Sequence, residues 1–168
     1  GKGAFVLLRT SNPGMKDIEW LELASGSRVL DAVGAGISAI SARYGDFSKS
    51  GCGPFGVVVG CTEESDARVL RDRYPDLFFL IPGYGAQGGA ARIAATLLDR
   101  AGGTVNSSRA ILTAWKKDPI LEIRATAGDL SMTDIVESAA RAAFKAKAEL
   151  LGAKKLLAAE SKPQDGLR

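Results

Sequence analysis

The sequence predicts an α/β fold in which parallel strands alternate with helices. Short apolar runs rich in β-branched and aromatic residues recur along the chain, and each precedes a stretch whose apolar residues have helical spacing. Such alternation indicates parallel pairing through right-handed crossovers. The 168-residue chain is 46% apolar and 24% charged, which supports a sizeable core and argues against disorder.

The first strand–helix unit lies near the N-terminus. Ala4–Leu8 is a continuous apolar run typical of a strand buried on both faces. After a long polar segment, the apolar side chains of Leu30–Tyr44 recur every three or four residues and predict an amphipathic helix. We expect Ser27 to cap that helix, Gly45 to end it and Gly45–Gly53 to form a loop.

The next two units follow the same order. Phe55–Gly60 predicts a second buried strand, and Thr62 is the expected N-cap of the helix after it. Leu77–Ile81 predicts a third strand, which Pro82 would end. Gly88–Ala101 predicts the next helix, because its apolar side chains again have helical spacing.

The fourth unit is the least regular. Thr104–Asn106 predicts a short strand, and the mixed-charge segment after Arg109 is expected to be a loop. The apolar positions of Ile135–Leu150 predict a long final helix that begins near Ser131 or Thr133. Four units are half of a (β/α)8 barrel. The strand-end loops favour the barrel, and a free-standing doubly wound sheet of four strands is the alternative.

The composition excludes several kinds of chemistry. The chain has no histidine, which excludes a Ser-His-Asp triad, a Cys-His pair and an HExxH zinc site. Its two cysteines, Cys52 and Cys61, are too few for a disulfide scaffold or a zinc site. We expect free thiols, and one disulfide bridge between them is the alternative. A net charge of +3 with interspersed signs argues against a nucleic-acid partner. With no bilayer-length apolar run and no signal-peptide pattern, we expect a cytoplasmic protein without a membrane partner.

The start of the chain suggests a piece of a longer protein. It opens with Gly1–Gly3 (GKG) and shows no methionine before Met15. We expect residues 1–152 to form one half-barrel with its binding loops. Residues 153–168 would form the end of the last helix and a tail.

Candidate binding groups follow the strands, where the loops of a parallel sheet converge. The four segments at the predicted strand ends are Thr10–Gly14, Cys61-Thr62, Pro82–Gly89 and Asn106–Arg109. Pro82–Gly89 has four glycines in eight residues and leads into a helix whose amides can hold an anion. A tight turn that merely needs glycine is the alternative. Beside it, Arg109 and two serine hydroxyls suit a phosphate dianion.

Other residues near these loops have ordinary structural explanations. The Ser11 hydroxyl can pair with the edge of a planar ring, yet Thr10–Gly14 also fits a plain turn. We expect Tyr84 and Trp115 to pack against protein rather than to stack on a ligand. Cys61 lacks an accompanying base and is predicted to be a small buried side chain rather than a nucleophile.

Four strings in this order carry a family resemblance. They are FVLLRTSNPG (Phe5–Gly14), FGVVVGCT (Phe55–Thr62), FFLIPGYGAQGG (Phe78–Gly89) and NSSRAI (Asn106–Ile111). Together they resemble the second half of orotidine 5′-phosphate decarboxylases of the longer-loop bacterial branch, and the last two strings carry most of the weight. Ala110, where glycine is usual, and Glu63-Glu64, where Tyr-Pro is common, depart from the family pattern outside the expected contacts.

The resemblance implies a TIM barrel, (β/α)8, in which this chain supplies strands 5–8. It implies that Ser11 hydrogen-bonds the pyrimidine edge and that Pro82 lines the phosphate loop. It also implies that Gln87 bridges the phosphate and Ser11, and that Arg109, with the Ser108 amide, grips the phosphate. The implied ligands are orotidine 5′-phosphate and UMP, without metal or cofactor. The implied assembly is a homodimer of the full-length protein.

The catalytic part of that family has no counterpart here. Its proton-donating lysine and aspartates lie in a DxKxxD pattern, which occurs nowhere in this sequence. We therefore expect a fragment of a decarboxylase for UMP biosynthesis that has the binding loops, has no catalytic residue of its own and is inactive alone. One alternative is a non-catalytic half-barrel that binds a sugar phosphate or nucleotide and dimerises. Another is a phosphate-binding isomerase or aldolase, but none of the four loops supplies its carboxylate or lysine.

Overall fold

The chain forms two compact units. The computed structural model describes residues 2–44, 53–84, 90–100 and 102–161. The first unit comprises Gly1–Pro82 and Ile93–Asn106, and the second comprises Gly83–Arg92 and Ser107–Arg168. The first unit contains the sheet, and the second contains the C-terminal helices.

Four parallel strands form the sheet of the first unit, in the order β1-β2-β3-β4. Their bounds are β1 Ala4–Arg9, β2 Phe55–Val59, β3 Phe78–Ile81 and β4 Gly103–Val105. All four predicted strands are present, and no end differs from its predicted position by more than one residue.

The order of the strands distinguishes the two predicted architectures. A doubly wound sheet reverses its order at a switch point, whereas each strand here lies beside its neighbour in sequence. Right-handed crossovers between such neighbours place successive helices on one face, as in the wall of a barrel. The α/β class is therefore confirmed, and the doubly wound alternative is wrong for these strands. Their place as strands 5–8 stays a prediction.

The helices that accompany the sheet begin at different caps from those predicted. They are α1 Met15–Ile18, α2 Val29–Ala42, α3 Glu64–Arg73 and α4 Ala90–Leu97, the last from Ile93 onward in this unit. Arg28, not Ser27, is the N-cap of α2, because its backbone N–H donates to the Asp31 carboxylate at 3.2 Å. Glu63, not Thr62, is the N-cap of α3, since Glu63 is the extended residue at the helix start.

One face of the sheet forms the core of the first unit. Alternation along the strands puts Val57, Val59, Phe79 and Ile81 on this face, and each is at most 5% exposed. α2 packs on β1 and β2. The core therefore lies on the face of the sheet against which the helix α2 packs.

The opposite face of the sheet is apolar and uncovered within the described residues. We call it the open face, and the strand register places these residues on it: Phe5, Leu7, Val58, Phe78 and Leu80. Phe5 is 53% exposed and Leu7 is 56% exposed. Burial of the first strand on both faces is thus a wrong prediction, because β1 is an edge strand with one face open. The Phe5 and Phe78 rings lie 5.9 Å apart across Gly56, where a Cβ would overlap the Phe5 ring.

The second unit is helical. It contains α5 Ser108–Leu112, a 3-10 helix Ala114–Lys117, α6 Pro119–Thr126 and α7 Met132–Glu160. The loop predicted after Arg109 is wrong, because short helices occupy that segment; Asp118 caps α6 by accepting from the Ile120 N–H at 3.0 Å. Ser131 is confirmed as the start of α7, since its hydroxyl accepts from the Asp134 N–H at 3.2 Å.

α7 continues past residue 152 and runs without interruption to Glu160. The division into a half-barrel of residues 1–152 and a helix end with a tail at 153–168 stays a prediction. Among the helices of the described ranges, none is long and apolar enough to cross a membrane. Gly45 as the end of α2, the Gly45–Cys52 part of the first loop and Gly88 as a helix start lie outside the described residues.

Candidate functional site

Two predicted binding residues lie at the carboxyl edge of the sheet. Ser11 follows β1 after Thr10, and Pro82 follows β3 directly. Because the strands are parallel, both residues lie at the same edge, with the end of β2 between them. Both residues are exposed, so both are accessible to a ligand.

The segment that carries Ser11 is held by Glu19. The Glu19 carboxylate accepts hydrogen bonds from the Thr10 backbone N–H at 3.0 Å and from the Thr10 hydroxyl at 2.8 Å. Hydrogen bonds to an ionised acceptor are stronger than neutral ones. Since both donors belong to the residue before Ser11, Glu19 fixes where the loop leaves the strand.

Arg9 fixes the same strand end from within the protein. It is 3% exposed, and its guanidinium donates to the Gly60 carbonyl, to the Thr10 carbonyl at 3.1 Å and to the Asp66 carboxylate at 2.8 Å. A register shift in β1 immediately precedes Arg9. Such irregularities re-aim a side chain, and here the re-aimed arginine joins the ends of β1 and β2 to α3.

Gly60 allows Ser11 to approach the end of β2. A Cβ at Gly60 would lie 3.3 Å from the Ser11 nitrogen and 3.4 Å from its Oγ. These distances are tighter than ordinary van der Waals contact, so a side chain there would press on Ser11. Two neighbours therefore set the position of Ser11. Thr10 is hydrogen-bonded to Glu19, and Gly60 has no side chain that would press on Ser11.

Cys61 lies at the same edge as a neutral thiol. Burial raises its pKa to about 12, more than the nearby Arg9 charge lowers it. The thiolate is the nucleophilic form, so Cys61 stays protonated at neutral pH. This supports the prediction that Cys61 is not a nucleophile, while its side chain is half-buried and not fully buried as predicted.

In the second unit, Tyr84 joins two segments that were predicted to bind a ligand. The Ser107 hydroxyl donates to the Tyr84 carbonyl at 2.6 Å, and the Tyr84 hydroxyl donates to the Glu149 carboxylate on α7 at 3.2 Å. Tyr84 is 6% exposed, which confirms its predicted packing role. Burial, followed by the Glu149 charge, raises the pKa of Tyr84 to about 12. The hydroxyl therefore remains a donor well above neutral pH.

Ser108 and Arg109 begin α5, immediately after Ser107. Both are exposed. The Thr113 hydroxyl donates to the Arg109 carbonyl at 2.7 Å, so the backbone of Arg109 is held within the helix. An exposed guanidinium on a held backbone is suited to a planar, bidentate contact with an anion.

The predicted site residues thus fall into three groups. Ser11 and Pro82 share the carboxyl edge of the first unit, and Ser108 and Arg109 share the start of one helix in the second. Gln87 lies outside the described residues. In the described ranges, no group of His, Cys, Asp and Glu side chains could hold a metal ion.

Sequence reasoning missed the residues that hold these segments. Glu19 lies in a polar stretch with no periodic pattern, so nothing singled it out. Glu149 did have a signal: it follows Ala142 and Ala146 at helical spacing, and an acid in an apolar stripe usually has a specific partner. The indication for Arg9 was weaker, because a cation directly follows the apolar run of the first strand.

The chain is similar in sequence to curated proteins over part of their length. No family model matches the chain. An orotidine 5′-phosphate decarboxylase from Clostridium perfringens is 50% identical over 116 residues, which are 68% of this chain and 40% of that protein. One from Clostridium tetani is 48% identical over 118 residues, which are 70% of this chain and 40% of that protein. The chain thus spans about two fifths of the length of these curated relatives.

Solved structures agree at the level of the fold. Leishmania donovani OMP decarboxylase superposes with a TM-score of 0.51 at 22% identity, covering 89% of this chain and 48% of that one. For the Plasmodium berghei orotidine 5′-monophosphate decarboxylase the TM-score is 0.53 at 16% identity. The superposition covers 82% of this chain and 40% of that one. These neighbours are TIM barrels. This chain is therefore a homologue of part of an orotidine 5′-phosphate decarboxylase, and the resemblance carried by its four strings is confirmed.

Proposed function

We propose that this chain is the nucleotide-binding half of an orotidine 5′-phosphate decarboxylase barrel, with β1 to β4 as strands 5–8. The observation that carries the proposal is its 50% identity to a decarboxylase over 40% of that protein's length. The full-length protein would convert orotidine 5′-phosphate to UMP and CO2 as a cytoplasmic homodimer. This chain would supply binding contacts and no catalytic residue.

Ser11 is the proposed contact to the pyrimidine. Its hydroxyl can donate and accept, which matches the imide edge of the ring. The hydrogen bonds from Thr10 to Glu19 support this role, because a contact of defined geometry needs a backbone that does not move. Pro82, two strands away at the same edge, is the proposed lining of the phosphate loop.

Arg109 is the proposed phosphate contact, aided by the Ser108 amide. A guanidinium presents two parallel N–H donors that match two phosphate oxygens. The exposure of Arg109 supports this role, since the phosphate of a nucleotide must reach it from solvent. The bridging role of Gln87 stays a prediction.

The chemistry of the reaction explains why binding residues and catalytic residues would lie in different parts of the full-length protein. Loss of CO2 leaves a carbanion on the ring, which a neighbouring ammonium group stabilises and then protonates. The DxKxxD string that would supply the ammonium group is absent from this sequence. The contribution of this chain is remote binding energy from the phosphate, which the whole enzyme would use at the reacting carbon.

The binding role is tested by titrating the purified chain with UMP and with uridine, followed by NMR. We expect UMP to bind more tightly than uridine, and Arg109→Ala to lose about 2–5 kcal/mol of UMP binding as a charge-assisted bidentate contact disappears. Arg141→Ala is the matched control, because Arg141 is an exposed arginine of the same unit that pairs with Glu137 at 3.8 Å. Equal affinities of wild type and Arg109→Ala for UMP would contradict the assignment.

The missing catalytic half is tested by a turnover assay. The chain, purified from a host that lacks its own decarboxylase, is incubated with orotidine 5′-phosphate while CO2 release is measured. We expect no turnover above the uncatalysed rate, because the carbanion has no ammonium partner. Release of CO2 that scales with protein concentration would show that this chain has its own catalytic groups.

The second candidate function is a non-catalytic nucleotide-binding half-barrel that dimerises. The exposed Phe5 and Leu7 on the open face favour it, since a second copy would cover them. A defined dimer that binds UMP would support this function, whereas heterogeneous association would support a severed enzyme.

A further inference from the structure

Two hydrogen bonds in series connect the start of α5 to α7 through one tyrosine. The Ser107 hydroxyl donates to the Tyr84 carbonyl at 2.6 Å, and the Tyr84 hydroxyl donates to Glu149 Oε2 at 3.2 Å. Ser107 directly precedes Ser108 and Arg109. The connection therefore ends at the residue next to the proposed phosphate contacts.

Ser107 does not use its hydroxyl as an N-cap serine usually does. A capping serine accepts from an N–H group in the first turn of its own helix. Ser107 occupies the N-cap position of α5, yet its side chain makes no such bond. It donates instead to a carbonyl in the segment that follows β3. The hydroxyl thus stabilises a contact between two segments and not the helix that it precedes.

Tyr84 is held in place by burial and by a hydrogen bond to Glu149. It is 6% exposed, and a buried phenol needs a hydrogen-bond partner. Glu149 supplies that partner from α7, a helix of 29 residues against which α5 packs. Burial and the Glu149 charge raise the pKa of Tyr84 to about 12, so the hydroxyl keeps its proton well above neutral pH.

We propose that Tyr84, Ser107 and Glu149 are positioning residues that hold Ser108 and Arg109 in place for a phosphate group. The proposal rests on the proposed function and extends it to side chains that do not themselves touch the nucleotide. The Ser107 hydroxyl sets the place of the backbone before Arg109. The Tyr84 hydroxyl, through Glu149, sets the place of the carbonyl that Ser107 contacts.

The test compares UMP with uridine, so that the phosphate-dependent part of binding is measured separately. Titrations by NMR are made for the wild type, Ser107→Ala, Tyr84→Phe and Arg109→Ala. We expect Ser107→Ala and Tyr84→Phe each to weaken UMP binding about tenfold, the usual effect of one lost hydrogen bond. Their affinity for uridine should equal that of the wild type.

Conservative variants separate positioning from a general effect on folding. Ser107→Thr keeps the hydroxyl, and Glu149→Gln keeps an acceptor for the Tyr84 hydroxyl, so both should bind UMP within about twofold of the wild type. Glu149→Ala should weaken UMP binding as Tyr84→Phe does. Circular dichroism melts of every variant report folding independently.

Each contrary outcome has a distinct meaning. If Arg109→Ala loses UMP affinity while Ser107→Ala and Tyr84→Phe do not, the positioning role is overturned and the proposed function stands. If Ser107→Ala weakens uridine as much as UMP, the effect is general and the positioning role is also overturned. If the wild type binds UMP no better than uridine, the proposed function is overturned and this inference with it.

Discussion

Arg71 is a buried cation whose role is structural. It is fully buried and donates to the carbonyls of Leu97 at 2.9 Å, Leu77 at 3.0 Å and Gly102 at 3.2 Å. Its guanidinium carbon lies 3.5 Å from the centroid of the Phe79 ring. Burial lowers its pKa to about 10, so it is charged at neutral pH. One side chain thus satisfies carbonyls from several segments at the amino end of β3.

Replacing Arg71 should cost far more stability than replacing an exposed arginine of the same helix. We expect Arg71→Ala to lower the free energy of unfolding by about 3–5 kcal/mol, because buried carbonyls lose their donor. Arg68→Ala is the control, since Arg68 pairs with Asp99 at 2.9 Å with 39% of its side chain exposed, and such pairs contribute about 0–1 kcal/mol. Urea denaturation measures both. Similar losses for the two variants would contradict the structural role.

Cys61 should react slowly with alkylating reagents in the folded protein. In a Cys52→Ser background, labelling at pH 8 should be at least about 100-fold slower than in denaturant, because a pKa raised from 9.0 to about 12 leaves little thiolate. The folded pKa exceeds the unfolded one, so this group lowers stability as pH rises from 9 toward 12. Equal labelling rates in folded and unfolded protein would show that Cys61 is accessible and ionised.

Gly34 and Gly36 lie in the same helix, α2, but in different surroundings. A Cβ at Gly34 would overlap the Tyr74 ring, whereas a Cβ at Gly36 meets nothing within 4 Å. Tyr74 is 4% exposed, and its hydroxyl donates to the Asp31 carbonyl at 3.3 Å. The ring therefore cannot move aside without losing packing and a hydrogen bond.

Alanine at these two positions should have opposite effects on stability. Gly36→Ala should stabilise the protein by about 0.5–1 kcal/mol, because alanine loses less backbone entropy in a helix. Gly34→Ala should destabilise it by about 1–3 kcal/mol, because overpacking outweighs that gain. Urea denaturation of both variants measures the difference. Stabilisation by Gly34→Ala would show that α2 does not pack on Tyr74 as described.

The strands were predictable from sequence because their apolar runs are local and sharply bounded. Pro82 marks the end of β3, and Phe55 marks the start of β2. The caps of α2 and α3 were not predictable by the same means, because Asp31, a residue inside the helix, contacts Arg28 and removes the need for Ser27. The short helices after Arg109 carry too few turns to show a periodic pattern.

The candidate site was predictable only in part from the sequence. Parallel strands put their carboxyl ends at one edge, so the places of Ser11 and Pro82 follow from the alternation of elements. The contacts of Glu19 with Thr10 and of Glu149 with Tyr84 do not follow from it. They depend on tertiary packing, between residues 9 apart for Thr10 and Glu19 and 65 apart for Tyr84 and Glu149. The pattern of elements does not say which residues pair in this way.

The open face should make the isolated chain associate with itself. Phe5 and Leu7 are more than half exposed, and burial of one such side chain contributes about 1.5–3 kcal/mol. We expect sedimentation velocity to show association that increases with concentration, and Leu7→Lys to weaken it about tenfold or more. Val69→Lys is the matched control, because Val69 is 54% exposed but lies on α3 and not on the sheet. A wild type that remains monomeric at high concentration, or equal effects of the two variants, would show that the open face does not drive association.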